Sequence, residues 1–513
     1  MKREELRMIC TPDYKKILPD LQEEIFVILK QFCKTELIKM CCELSASLYY
    51  KSNSELIATL FYRCRNSKIV RSVHREYHDS YTNAINKASM ADVYLLILSR
   101  CANEGSSHSE DENFIMILKL FLYVNAGTTE NLIKYTETTS NMGADTDFSF
   151  QRLYWPFLFT QVDANAHSNF ISEFCKSSIL FNYVEHHHKE AFDRFLKENG
   201  FSSSSQIRFL FLDIFFKFYD SVSKGQHPFS IRINDGAKQF FDRLAINDIK
   251  ELNMMALKSH PVYYESGIYY VLDWNYLSAQ LNIGSYMNFR KFLEEICHTS
   301  DNKKKKHIDL KGELGKEMES TYFKPILEIC FSKYSHTMRF DSDYEFVGYP
   351  DCIMKSGRNI FVFEFKDNLF AEHVQASFDY DSYYRSLETN YVVKTDAKGK
   401  EEGKAVMQVI TYIDNLIAGK YSKKQCEDIS IAYDNSINIF PIVVYTDYKY
   451  CVQGVNYYLN TRFTDLIRER GYDERILKRI KPLTFICIDY FLNNLTRFKN
   501  KQLKFHKLLN HYS

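Results

Sequence analysis

The chain reads Gly348-Tyr349-Pro350-Asp351 and then Asn359-Ile360-Phe361-Val362-Phe363-Glu364-Phe365-Lys366, and these two segments decide the fold of its second half. Successive side chains of a strand point to opposite faces, so Glu364 and Lys366 share one face while the phenylalanines share the other. Between the segments, Cys352-Ile353-Met354 predicts a short strand and Lys355-Ser356-Gly357-Arg358 predicts a hairpin turn. Such a hairpin folds Asp351 back towards Glu364.

Asp351, Glu364 and Lys366 would then place two acids and one base together on an otherwise apolar strand. Buried charges are costly unless they are paired or bind a metal ion. Two carboxylates suit Mg²⁺, which prefers oxygen ligands and keeps several waters. A nearby lysine can orient or deprotonate the attacking water, or offset charge that develops on a phosphate. The pattern therefore indicates a metal-dependent hydrolytic site, and its alternative is an ion pair on the surface of a β-hairpin.

Pro350-Asp351 and Glu364-Phe365-Lys366 together resemble the core motif of the PD-(D/E)XK nuclease superfamily. The resemblance implies an α/β core with a central mixed sheet and a nuclease activity that depends on Mg²⁺ or Mn²⁺. It also implies that Asp351, Glu364 and the backbone carbonyl of Phe365 bind the metal, while Lys366 positions the attacking water.

Further motifs flank this core. Residues 405–418 carry a helical apolar stripe, and on that helix Gln408 and Tyr412 lie four positions apart and point the same way. Gln-x-x-x-Tyr at this position resembles the exonuclease-like branch of the superfamily, where these residues help to position substrate and lysine. Upstream, Glu319 resembles the family's early acidic residue, although composition alone leaves Glu317 and Glu328 as alternatives.

The remaining pattern predicts a mostly helical α+β chain in two domains. Residues 1–257 show helical periodicity almost throughout and predict an all-α domain. Residues 258–513 predict a restriction-endonuclease-like α/β domain with its core at about 310–495, and the apolar run from Ile439 predicts a buried strand of its sheet.

Three further segments of the second half carry predictions of their own. A long polar loop is predicted between Lys366 and Gln408, where it would overhang and gate the site. A strand is predicted over 483–490, and a basic helix that could contact a DNA backbone is predicted from Thr496 onwards.

Composition narrows the class of protein. A formal net charge of +1 means that any nucleic-acid binding must come from a local patch rather than a global field. The 13 cysteines contain no C-x-x-C pair, which argues against a structural zinc site and an iron-sulfur cluster and favours a reducing compartment. Neither a secretory signal nor a membrane span is predicted, and no P-loop motif occurs, so we expect a cytoplasmic protein without a nucleotide motor of its own.

These features predict a Mg²⁺-dependent deoxyribonuclease. The helical half is expected to sense, bind a protein partner or self-associate, as in bacterial restriction or anti-phage nucleases, and DNA is expected as the substrate rather than RNA. Two alternatives stay open from the sequence: an RNA-cleaving nuclease, and a silent protein that binds nucleic acid or a partner on a nuclease fold.

Overall fold

The computed structural model describes residues 21–50, 55–102, 105–140, 148–165, 169–226, 228–247, 249–299, 310–334, 336–343, 348–396, 398–422 and 431–512. These residues fall into two compact units. One unit draws on residues 1–144 and 184–305, and the other draws on residues 145–183 and 306–513. The described chain is mostly helical and contains a mixed five-stranded sheet, which confirms the α+β prediction at that level.

The first unit is built mainly of helices. Their bounds are Leu21–Leu29, Lys34–Tyr50, Glu55–Arg63, Lys68–Tyr77, Lys87–Arg100, Glu110–Ser140, Lys189–Glu198, Ser204–Ser223, Asp235–Arg243, Met254–Ser259, Trp274–Ala279 and Ser285–Thr299. A small antiparallel sheet of Ser230–Ile231, Val262–Glu265 and Ile268–Val271 accompanies them. The strand Ser230–Ile231 lies inside the region that was predicted to be all-α.

The predicted domain boundary near residue 258 differs from the boundaries of the compact units. Residues after 258 join the first unit because the Leu272 carbonyl accepts hydrogen bonds from Ser45 Oγ at 2.9 Å and from the Tyr94 hydroxyl at 3.0 Å. Residues 145–183 join the second unit, where Trp155 is fully buried in the core beside the sheet and donates to the Gln453 carbonyl at 3.1 Å. Periodicity shows which residues are buried, but it does not show against which element they pack.

The second unit is organised around five strands. In chain order they are β1 (Thr337–Phe340), β2 (Cys352–Ser356), β3 (Asn359–Lys366), β4 (Asn438–Tyr445) and β5 (Thr484–Cys487). Across the sheet the order is β5-β4-β3-β2-β1. Strands β1, β2 and β3 pair antiparallel, whereas β3, β4 and β5 pair parallel.

Helices cover both faces of this sheet, which is why β3 and β4 read as near-continuous apolar runs. The face with Ile360 and Val362 packs against helices α3 (Ala405–Ile417) and α4 (Val455–Arg468). The face with Phe361, Phe363 and Phe365 packs against α1 (Leu310–Met318), α2 (Lys324–Phe331) and the C-terminal helices. The bounds of the remaining helices of this unit are Ser149–Thr160, Val162–Asn165, Glu372–Gln375, Tyr380–Leu387, Glu474–Leu477, Ile488–Asn493, Leu495–Lys499 and Phe505–Tyr512, and Phe170–His187 runs across the division between the units.

The segment between β3 and α3 is not a loop, so that prediction is wrong. It folds into the helices Glu372–Gln375 and Tyr380–Leu387, followed by an antiparallel hairpin of Val393–Thr395 with Glu401–Gly403. Tyr383 and Tyr391 are fully buried in the core beside the sheet. These aromatic side chains give the segment an apolar face that its polar composition obscured.

Two C-terminal predictions also need correction. The predicted strand 483–490 is confined to β5, because a helix begins at Ile488. The predicted basic helix is interrupted between Lys499 and Phe505, and Lys501 has φ of 59°. Burial of Phe498 and Phe505 in the core beneath β3 fixes this bend.

Candidate active site

The β2–β3 hairpin brings Asp351 to Glu364. Its register pairs Cys352 with Phe363, so Asp351, one residue before β2, lies beside Glu364, one residue further along β3. The backbone N–H of Phe365 donates to Asp351 Oδ2 at 2.5 Å, which holds the aspartate against the strand. The structure therefore places the aspartate next to its two expected companions.

Glu364 and Lys366 form an ion pair on one face of β3. The Lys366 ammonium donates to Glu364 Oε1, and the side chains are 20% and 1% exposed respectively. Glu364 Oε2 is also buried and has no partner within ordinary hydrogen-bond limits among the described residues. A buried carboxylate oxygen without a partner carries a desolvation penalty that a cation would relieve.

The acids are buried close enough to raise one another's pKa. Burial and the neighbouring charges of Glu364 and Glu319 hold the pKa of Asp351 well above its usual range. Burial raises the pKa of Glu364 too, although Lys366 partly offsets the effect. For Lys366, burial lowers the pKa, but the charges of Glu364 and Asp351 outweigh it and leave the pKa raised. This acid cluster therefore favours a cation, whether a proton, a lysine or a metal ion.

Glu319 is the third acid of the cluster. It begins a π-helical turn, Glu319–Phe323, that joins α1 to α2 just before Pro325, where the missing N–H prevents a regular helix. Burial, followed by the charges of Asp341 and Glu364, raises the pKa of Glu319 to about 7. Of the three alternatives in the sequence, Glu319 is the one whose charge acts on Asp351, whereas Glu328 is exposed.

Gln408 and Tyr412 lie on α3, on the sheet face that carries Glu364. The Tyr412 hydroxyl approaches the Glu364 carboxylate, which helps to lower the pKa of Glu364 against the effect of burial. Burial and the same carboxylate raise the pKa of Tyr412, so its hydroxyl stays protonated. Gln408 Oε1 is buried without a hydrogen-bond partner among the described residues. The helix therefore brings the Tyr412 hydroxyl to the cluster, and Gln408 lies one turn earlier on the same helix.

Asp341 belongs to the same cluster but did not emerge from the sequence. It directly follows β1, and the pairing of Phe340 with Cys352 carries it to the side of Asp351, whose carbonyl accepts from the Asp341 N–H at 3.2 Å. Its charge raises the pKa of both Glu319 and Glu364. Burial raises the pKa of Asp341 itself, and the charge of Lys316 partly offsets this rise. The available signal was an acid directly after the short strand Thr337–Phe340, a segment for which no element was predicted from the sequence.

The hairpin 393–403 also lies within electrostatic reach of the cluster. Hydrogen bonding to Lys404 lowers the pKa of Glu402, and the charges of Lys394 and Lys366 lower it further. Lys394 is exposed and pairs with Glu402 across the hairpin. Part of the segment that was predicted to overhang the site therefore lies near enough to Lys366 for the charges of Lys366 and Glu402 to interact.

The arrangement fits a hard divalent cation in its chemistry but supplies few protein ligands. Among the described residues, no group of three or more His, Cys, Asp or Glu side chains is arranged to hold a metal ion. An ion would therefore bind to Asp351 and Glu364 with backbone and water oxygens, as Mg²⁺ commonly does. The role of the Phe365 carbonyl as a third ligand stays a prediction.

Comparison with known proteins does not indicate a function for this site. Comparisons with protein-family models, curated proteins and solved structures found no match to the chain. Of the helices within the described ranges, none combines the length and apolar character that crossing a bilayer would demand.

The raised pKa of Glu319 predicts that the metal-free protein loses stability as pH rises from 4.5 to about 7. In this range the folded state holds a proton that the unfolded state has released. The contribution of Glu319 to the free energy of unfolding is therefore fully present below pH 4.5 and is lost as Glu319 ionises beside other acids. In EDTA, we expect Glu319→Gln to raise Tm at pH 8 by about 2 to 4 °C relative to wild type, and to change Tm little at pH 4.5.

Thermal unfolding followed by circular dichroism at both pH values measures this effect. The matched control is Glu328→Gln, an exposed acid on the neighbouring helix α2. An equal shift in the two variants would assign the effect to net charge rather than to the acid cluster.

Proposed function

We propose that the second unit is a metal-dependent phosphodiesterase of the PD-(D/E)XK type, with a restriction-endonuclease-like fold, that cleaves DNA. The observation that carries the proposal is the convergence of Asp351, Glu364 and Lys366 at one end of β3. A surface ion pair would leave its carboxylate hydrated, whereas Glu364 is 1% exposed and sits among further acids. Burying several acids together is unfavourable unless a cation that they bind is part of the function.

Asp351 and Glu364 would hold Mg²⁺ or Mn²⁺, and the buried Glu364 Oε2, which has no hydrogen-bond partner within ordinary limits among the described residues, would gain one in the ion. When bound, the ion supplies Lewis-acid stabilisation of the charge that develops on the phosphoryl oxygens. Oxygen-only ligation favours these hard cations over zinc.

Lys366 is the candidate for orienting the nucleophile. Its ammonium touches buried Glu364, yet the side chain keeps 20% of its surface accessible, so it can reach water or phosphate at the rim of the cluster. The raised pKa of Lys366 keeps it cationic at neutral pH, which suits the orientation of water and phosphate better than proton abstraction.

Glu319 and Tyr412 support the same step. Glu319 would add an outer-shell acid at the edge of the site, where its carboxylate could accept hydrogen bonds from waters on the ion. The Tyr412 hydroxyl steadies the Glu364 carboxylate. Gln408, one turn earlier on α3, is the candidate for steadying the phosphate or the lysine.

Strand cleavage in the presence and absence of metal tests the proposal. The purified protein is incubated with supercoiled plasmid, linear duplex, single-stranded DNA and RNA, each with Mg²⁺, with Mn²⁺ or with EDTA. We expect cleavage of DNA with either cation and none with EDTA. Cleavage of RNA alone would establish the ribonuclease alternative, and metal-dependent binding without cleavage of any substrate would establish the silent binding protein.

The biological setting is part of the proposal. Restriction or anti-phage defence, with the helical half as a sensing, partner-binding or self-associating module, follows from the analogy with nucleases that combine such domains. A helical module without a motor would act by binding. We therefore expect the helical half to bind its partner, or another copy of the chain, without a metal ion and also in the variant Lys366→Ala.

A further inference from the structure

Two cysteines meet at the edge of the sheet where β4 and β5 end. Cys487 is the last residue of β5 and pairs with Tyr445, the last residue of β4. After β4 the chain makes a short helical turn, Tyr448–Tyr450, and Cys451 follows it directly. The Tyr445 hydroxyl and Cys451 Sγ are hydrogen-bonded at 3.1 Å, and the Cys451 thiol also hydrogen bonds with Cys487.

The two thiols differ in access to solvent. Cys451 is exposed, whereas Cys487 is buried beneath it. The other free cysteines among the described residues are buried or half-buried. A small oxidant would therefore reach Cys451 first and find Cys487 already adjacent.

The surroundings also give the two thiols different pKa values and therefore different reactivity. Hydrogen bonds from Cys487 and Tyr445 lower the pKa of Cys451, although partial desolvation of its thiol by neighbouring groups and the charges of Asp489 and Asp447 oppose them. The hydrogen bond to Cys451 and burial hold the pKa of Cys487 well above its usual range. Thiolate is the reactive form of cysteine, so Cys451 is the nucleophile and Cys487 is the thiol that follows.

We propose that Cys451 and Cys487 form a peroxide-reactive dithiol that closes to a disulfide. The Cys451 thiolate attacks one oxygen of hydrogen peroxide, the O–O bond breaks, and the departing hydroxide takes a proton to leave as water. The resulting sulfenic acid is attacked by Cys487 sulfur; the S–S bond forms, the S–O bond breaks, and a second water leaves with the thiol proton. Two thiols are oxidised and one peroxide is reduced.

The pair lies close to the candidate active site without being part of it. Lys366 pairs with Tyr445 and Tyr445 pairs with Cys487, so the three residues form one row across the sheet. The turn between Tyr445 and Cys451 also holds the chain that follows Lys366, because Asp447 Oδ2 accepts from the Phe370 N–H at 2.8 Å. A disulfide would tie this turn to the end of β5.

Peptide mapping of the full-length protein tests the proposal. The reduced protein is treated with an approximately equimolar amount of hydrogen peroxide, blocked with N-ethylmaleimide and digested without reductant. We expect a peptide that joins Cys451 to Cys487 and disappears after treatment with dithiothreitol. In Cys487→Ser, dimedone is expected to label Cys451 as a sulfenic acid, and in Cys451→Ser, Cys487 is expected to remain a thiol.

Cys175→Ser serves as the control, because this half-buried cysteine belongs to the same unit and is expected to leave the cross-link unchanged. Circular dichroism establishes that each variant is folded. Oxidation of Cys451 to sulfinic acid without a cross-link in the wild-type protein would overturn the proposal, as would a cross-link to any other cysteine or between chains. Because no cleavage is measured, failure here is distinguishable from failure of the proposed nuclease activity.

Discussion

Lys366→Ala is expected to cleave plasmid DNA roughly 10²- to 10⁴-fold more slowly than wild type, the usual loss when a positioned group no longer assists the reaction. The ammonium is the cation closest to buried Glu364, and no other described lysine or arginine forms an ion pair with that carboxylate. Alanine leaves water and phosphate without a donor at the rim of the cluster. Initial rates of nicking in Mg²⁺ measure the loss.

Glu364→Gln is expected to lose activity to a similar or greater extent, because the amide keeps the shape of the side chain but binds a hard cation poorly. Circular dichroism in EDTA is expected to show an intact fold, although the change also removes the partner of the Lys366 ammonium and lowers the free energy of unfolding. Loss of activity together with an intact fold separates a role at the reacting centre from a structural role.

The exposed pair of Glu474 and Lys478 supplies the matched controls, because it repeats the charges on the surface of the same unit. Glu474→Gln and Lys478→Ala are expected to retain wild-type rates. If Lys366→Ala and Glu364→Gln also retained wild-type rates, the acid cluster would have no part in cleavage and the nuclease assignment would fail.

Trp155→Ala is expected to lower the free energy of unfolding of the second unit by about 3 to 5 kcal/mol, the usual cost of truncating a fully buried aromatic side chain. Trp155 is 0% exposed, donates its ring N–H to the Gln453 carbonyl, and packs against Phe159, Tyr380 and Tyr458. Alanine leaves both a cavity and an acceptor without its donor. Urea denaturation followed by far-UV circular dichroism measures the loss.

Trp155→Phe is the control that keeps a ring in the core but removes the N–H donor, and its expected cost is smaller, about 1 to 3 kcal/mol. Hydrogen exchange followed by mass spectrometry locates the destabilisation. Faster exchange in β3 and β4 is expected for Trp155→Ala. Faster exchange confined to residues 1–144 would instead place the segment 145–183 with the N-terminal helices, as the boundary near residue 258 predicted.

The local sequence pattern was sufficient to predict β2, β3 and α3, the elements that carry the site. Alternation along 359–366 predicted both faces of β3, and the helical stripe predicted α3 to within one residue at its C-terminal end. Gly357, with φ of 59°, makes the hairpin turn that was expected between β2 and β3. These features depend on neighbours along the chain, so sequence periodicity determines them.

The predictions that failed depended on packing between segments that are distant in the chain. The segment after Lys366 looks polar, yet it packs onto the sheet because Tyr383 and Tyr391 are buried in the core there. Asp341 lies beside Asp351 because β1 pairs with β2, and the sequence pattern did not predict this pairing.

By itself, the sequence determined that a hairpin would carry Asp351, Glu364 and Lys366, because strand alternation and turn chemistry act over a few residues. Tertiary structure alone decided that Asp341 joins the acid cluster, that Glu319 does so rather than Glu317 or Glu328, that Trp155 and Phe159 pack beside the sheet, and that Cys451 meets Cys487. Each of these pairings joins distant parts of the chain, and the burial that raises the pKa of Glu319 arises only when helices close over both faces of the sheet.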